Sequence, residues 1–194
     1  MWFSRWSINV SATKVWLPIG ARRALVNALI VPLSDYGAIL HAGLWTVNKR
    51  RLKRIQNCSM RFVHLKSRRD SVSYLYTENN ILQVSCRQEW LLLVLFYKAV
   101  VKGAGPLYIS KKFKSQADVH THSTRHSGPH FILPVHRTRS LTSTFHYQGA
   151  KLWNSLPNKI YLRDDGGYVS VGAFRARLRR HMQGASTWLA VCVV

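Results

Sequence analysis

Acidic residues are scarce. The 194-residue chain carries 7 Asp and Glu against 29 Lys and Arg, a formal net charge of +22. A two-metal polymerase centre needs carboxylates that converge on its ions. The one adjacent acidic pair, Asp164-Asp165 in "LRDDGGY", reads as a turn before a helix. Cysteine is nearly absent. Cys58, Cys86 and Cys192 lie far apart with no CxxC, which excludes a zinc-finger spacing. Cys58 and Cys86 sit in apolar helical patterns and are expected as buried thiols in a reducing, intracellular compartment, nucleus or cytoplasm. No run approaches the ~18 apolar residues of a membrane span, and the apolar tail Trp188–Val194 is too short for one. There is no G-x-S-x-G, and "GAGP" lacks the Lys-Ser/Thr of a phosphate loop. The first residues lack a secretory apolar run. With Arg5, Lys14 and no acid before Asp35, they leave a mitochondrial presequence open.

What the chain has in excess is positive charge on a foldable body. Hydrophobic residues make up 47%, enough for a core. A compact body of this charge attracts polyanions. Nucleic acid is the first candidate, because each neutralised phosphate releases counterions. An anionic membrane surface is the second.

Ala21, Ala24, Leu25, Ala28 and Leu29 recur at helical spacing, and Pro32 is expected to end that helix. Asp35 is placed to cap a short helix with Tyr36, Ile39, Leu40 and Leu44 facing inward. Lys49–Lys66 is an amphipathic basic helix: Leu52, Ile55, Phe62 and Val63 form the apolar stripe, surrounded by Lys49, Arg50, Arg51, Lys53, Arg54 and Arg61. Asp70 or Ser71 is expected as the next N-cap. Val84–Lys102 is apolar on nearly every face and reads as the central buried helix, stopped at Gly103. The stretch 116–140 is rich in His, Ser, Thr and Arg. Its His120, His122, His126 and His130 have spacings that a zinc ion fits, but neither helical pattern nor cysteine supports one, and an RNA-facing loop is expected. "HFILPV" and "LTSTFHYQ" have the composition of a short hairpin around His136–Arg139. Gly149–Leu156 reads as one or two helical turns ended by Pro157. Val171–Met182 is a last amphipathic helix, with Val171, Phe174, Leu178 and Met182 inside and Arg175, Arg177, Arg179 and Arg180 outside.

Six blocks, in order, carry a resemblance: "ALIVPLSDYGAILHAG", "LKRIQNCSMRFVH", "CRQEWLLLVLFYKAVVKGAGPLYISKKF", "TRHSGPHFILPVHRTRS", "FHYQGAKLWNSLPNKI" and "FRARLRRHM". Together they resemble the thumb and carboxyl-terminal region of Jockey-like non-LTR retrotransposon reverse transcriptases. Gln88 stands where a second basic residue is usual in that family. The family's aromatic-Ala-Asp-Asp turn does not occur here. The resemblance therefore implies a fragment, or a domesticated or decayed copy, whose palm, fingers and endonuclease lie elsewhere.

The expected fold is mainly α: a poorly patterned leader (1–19), a thumb-like helical bundle (20–110), a basic connector (111–140), a C-terminal subdomain (141–183) that could hold a short β-hairpin, and a tail (184–194). The expected function is non-catalytic, phosphate-driven binding of template RNA or DNA. The residues assigned to it are Lys49, Arg50, Arg51, Lys53, Arg54, Arg61, Arg137, Arg139, Arg175, Arg179 and Arg180. Leu152, Trp153, Leu156 and Pro157 are assigned to packing, with base stacking as the alternative for Trp153. No catalytic residue, metal or cofactor is expected. Two alternatives stay open: an independent basic RNA-binding protein of ribosome-associated type, and a degenerate reading frame without function.

Overall fold

The computed structural model describes residues 16–38, 46–116 and 130–184. It is mainly helical, with only isolated antiparallel bridges among the described residues. The chain divides into two compact units: of the described residues, 16–37 and 46–84 form the N-terminal unit, while Ala38 groups with 85–116 and 130–184 in the C-terminal unit.

The N-terminal unit starts with α1 (Ile19–Leu25), which runs through a π-helical turn (Val26–Ile30) into α2 (Val31–Asp35). Pro32 therefore does not end the helix. A proline lacks the N–H and crowds the carbonyl four residues back. The wider π turn just before it gives a physical reason why the helix continues. Asp35 is the last residue of α2, the helix that it is expected to cap lies beyond Gly37 and mostly outside the described residues, and Tyr36 is 84% exposed rather than inward. The expected inward positions Ile39, Leu40 and Leu44 lie outside the described residues.

α3 (Thr46–His64) is the long amphipathic helix that the pattern predicts. Its inner side buries Ser59, Met60 and Val63. Met60 packs with Val72, Leu75 and Tyr76, the last two on α4 (Ser73–Glu78). Cys58 turns to the exposed side, against expectation, because it falls on the arc opposite Met60 and Val63. Gln56 clasps the incoming chain, accepting from Val84 N–H at 2.8 Å and donating to the Leu82 carbonyl at 2.9 Å. Asp70 is not the cap of α4; that place is taken by Val72. Asp70 Oδ2 accepts from Ser67 N–H at 2.8 Å and shapes the preceding turn.

The C-terminal unit is organised around α5 (Val84–Phe96) and a π-helical turn (Tyr97–Val101). Leu92, Leu93, Phe96 and Tyr97 are fully buried, as the continuous apolar pattern predicts. Gly103 then takes φ 64 and lets Ala104 N–H reach back to the Lys98 carbonyl at 3.0 Å, stopping the helix. α6 (Leu107–Ser110), α7 (Arg139–Thr142), α8 (Phe145–Asn154), α9 (Asn158–Tyr161) and α10 (Val171–Gly184) follow.

"LTSTFHYQ" is helical rather than one arm of a hairpin. Thr144 caps α8 by accepting from Tyr147 N–H, so the β-prone composition gives way to a cap and an amphipathic helix. Antiparallel contacts form elsewhere, Ser115 with Phe131 and Leu162 with Tyr168.

The aromatic block of α8 is core. Trp153 is 1% exposed and sits among Tyr161 (ring centroids 4.6 Å apart), Phe96 (5.4 Å) and Tyr97 (5.9 Å). Tyr97 stacks on Phe174 of α10 at 4.1 Å. Asn154 acts as a backbone mimic: it accepts from Phe131 N–H at 3.0 Å and donates to the Phe131 carbonyl at 2.8 Å.

Candidate nucleic-acid interface

In the N-terminal unit, α3 sorts its residues by face. Leu52, Ile55 and Phe62 are half-buried and Val63 is buried, while Arg50, Arg51, Lys53 and Arg54 are exposed. Arg50 and Arg54 are one helical turn apart on the same side, and Arg51 and Lys53 flank them. Lys49 is half-buried at the edge of this face. Arg61 differs from the rest. Its guanidinium donates twice to the Asp70 carbonyl, at 3.1 and 3.4 Å, and closes the loop after α3. It holds structure rather than standing ready for phosphate.

The same loop adds cations that the sequence reading left out of the site. Arg68 and Arg69 are exposed beyond the end of α3, and Lys66 lies 5.9 Å from the Tyr74 ring centroid. The signal is present in "SRRD", where the sequence reading draws only on Asp70 as a candidate N-cap. Arg22 and Arg23 are engaged within the unit instead. Arg22 is buried and donates to the Phe62 carbonyl at 3.2 Å, while Arg23 donates to Asn79 Oδ1 at 2.8 Å. His64 lies near these cations. Burial above all, then Arg23, pushes its pKa below the usual histidine value.

In the C-terminal unit, α10 buries Phe174, Leu178 and Met182 and exposes Arg175, Arg177, Arg179 and Arg180. Arg175 covers the Trp90 ring at 5.4 Å, and its carbonyl accepts from Trp90 Nε1 at 3.3 Å. Arg177 donates to the carbonyls of Lys159 and Leu162, both at 3.0 Å, and so ties off the end of α9. Arg179 and Arg180 complete the outward face. Arg137 is exposed on the extended stretch before α7, and Arg139 opens α7. Of the residues assigned to packing, Leu156 is buried and Leu152 half-buried, while Pro157 is exposed and precedes α9 with φ −65. Trp153 has no face to offer a base.

Asp164 and Asp165 are exposed on a turn. Asp165 Oδ1 accepts from Gly167 N–H at 2.9 Å, and Gly166 takes φ 78, which only glycine adopts easily. This carboxylate shapes its own turn. Of the clustered histidines, only His130 lies within the described residues, where its carbonyl accepts from Gln116 N–H at 2.9 Å. Among the described residues no helix is long and apolar enough to cross a membrane. Comparison with protein-family models, with curated proteins and with solved structures finds no match to this chain.

Proposed function

We propose that this chain is a non-catalytic nucleic-acid-binding module, corresponding to the thumb and carboxyl-terminal region of a Jockey-like retrotransposon polymerase. The observation that carries binding is the sorting of α3. Its apolar side is spent on the core, while Arg50, Arg51, Lys53 and Arg54 stand exposed in a chain with 7 acids against 29 basic residues. Such a face rewards a phosphate backbone and carries no base-specific information. The ordered sequence blocks support the retrotransposon origin, with Asn154 and Trp153 of "LWNSLP" in packing roles. The chain binds template but leaves the chemistry to carboxylates that it does not supply.

The test is fluorescence anisotropy with labelled duplexes of unrelated sequence over a range of KCl. Four phosphate contacts from α3 give a log–log slope of about −3.6. Arg50→Glu with Arg54→Glu weakens every sequence alike and flattens the slope by roughly 2. Affinity independent of salt, or no binding at low salt, rules the reading out. An upstream coding sequence for a palm with an Asp-Asp turn would support the origin; an unrelated upstream coding sequence in the same frame would count against it.

A further inference from the structure

Aromatic and cationic groups meet a second time, in the C-terminal unit. After Gly105-Pro106 the chain makes the single turn α6 and then runs through Lys111, Lys112, Phe113 and Lys114. Between this stretch and the start of α8 lies an open recess of about 260 Å³. Tyr108, Ile109, Phe113 and Phe145 line it, with His146 beside them and Lys112 at its edge.

The floor is fixed and one wall is offered to solvent. Phe113 is 8% exposed; it meets Phe96 edge-on at 4.9 Å and His146 edge-on at 4.8 Å. Tyr108 is 67% exposed, and among the described residues its ring meets no other aromatic ring. A large exposed tyrosine beside an apolar slot offers a flat π-face on which a base can stack. The three lysines of the stretch are exposed, and among the described residues no carboxylate lines the recess. The combination favours an occupant with a flat apolar face and a nearby negative charge. The volume is below the roughly 300–1,000 Å³ of a typical cofactor pocket, so it suits one ring system rather than a whole cofactor.

We propose that this recess takes a single unstacked base of single-stranded nucleic acid. The base lies against Tyr108 over the Phe113 floor, and adjacent phosphates meet Lys111, Lys112 and Lys114. Duplex bases are already stacked on their neighbours, so the site selects single strands where the arginine face of α3 does not. The proposal rests on the nucleic-acid reading above and adds a strand preference to it. It also moves the stacking role from Trp153, which is buried, to an aromatic that is not.

The experiment uses the full chain and labelled oligo(dT), oligo(U), a duplex and an abasic deoxyribose-phosphate strand, compared by anisotropy. Tyr108→Ala is expected to weaken binding of one or both single strands about 5- to 100-fold. It should leave duplex and abasic affinity within about twofold, and Tyr108→Trp should restore the single-strand affinity. The two base-bearing arms separate RNA from DNA as the source of the base, and selective loss on either supports the site. Equal loss on the abasic strand, or no loss anywhere, overturns the stacking site while the charge-driven reading stands. So does displacement of oligo(dT) by poly-glutamate to the same extent from wild type and Tyr108→Ala. Failure to bind any of the four probes overturns both. Because Tyr108 is mostly exposed, its truncation leaves the fold intact, and circular dichroism of each variant checks this.

Discussion

Leu65 and Gly103 close helices in the same left-handed conformation, φ 53 and φ 64, and only one of them is suited to it. Lys66 N–H reaches the Arg61 carbonyl at 3.0 Å, so Leu65 ends α3 in a Schellman-type turn, where a side chain crowds the backbone. Leu65→Gly is expected to raise the unfolding free energy by up to about 1 kcal/mol in urea titration, since Leu65 is half-exposed and gives up little packing. Gly149→Ala should do the opposite. Its new Cβ would lie 2.8 Å from Phe96 Cδ2, in a ring cluster with no room to yield, at a cost of roughly 1–3 kcal/mol. This contrast also marks what could be read in advance. Gly103 announces its turn; Leu65 does not, because nothing in leucine signals a positive φ. His64 adds a pH dependence. Burial, Arg23 and Arg22 favour its neutral form in the fold, against an opposing pull from Glu78. The unfolded chain therefore binds the proton more readily. Stability is fully present above about pH 6.5 and declines as pH falls through the lowered folded value. His64→Gln should remove that part of the acid-side loss below about pH 6.5, measured as the difference between the two urea midpoints. A larger loss in the variant would contradict the assignment.

Elements whose one face is core and other face solvent were the most legible. α3, α5 and α10 form where the apolar spacing places them; α10 buries Phe174, Leu178 and Met182 as its pattern marks, whereas on α3 only Val63 of the expected stripe is buried and Ser59 and Met60 join it, with Leu52, Ile55 and Phe62 half-buried. The failures have local causes. Pro32 is carried by a π turn that no periodicity reveals, and α8 forms from a β-prone stretch because Thr144 caps it and Trp153 has an aromatic core to enter. The basic faces were legible as faces, but the duty of each arginine was not. Arg61 and Arg177 are tied to backbone carbonyls 9 to 18 residues away in sequence, a partnership set by the fold. That distinction is measurable on α3. Arg61→Ala is expected to lower stability by about 1–2 kcal/mol, from the lost charge-assisted bonds to Asp70, with little change in the salt slope of binding. Arg54→Ala should leave stability within about 0.5 kcal/mol and reduce the slope by roughly 1. If the two variants exchange these signatures, the division of the helix into a structural and a binding arginine is wrong.

At the scale of the whole molecule the same charges act on two equilibria with opposite sign. A net charge of +22 on 194 residues repels itself, and the folded chain concentrates that charge more than the unfolded one. Burial of Phe96, Tyr97, Trp153, Phe174 and the other core groups must therefore hold the C-terminal unit together against a field that its exposed lysines and arginines create. Added salt screens that repulsion over a Debye length of about 10 Å at 0.1 M, so the free protein should become more heat-stable as KCl rises. Binding runs the other way, because salt removes the entropy gained when phosphates release their counterions. A bound polyanion should then stabilise the fold most where salt is lowest, by mass action as well as by neutralisation. The expected pattern is a melting temperature that climbs with KCl in the free chain, and one that falls or flattens with KCl when duplex DNA is present in excess, so that the two curves converge at high salt. Differential scanning fluorimetry on both samples reads this directly, and choline chloride in place of KCl separates screening from specific ion binding. Parallel curves with and without DNA would mean that the surface charge is not the binding energy, and that the arginine face of α3 has some other use.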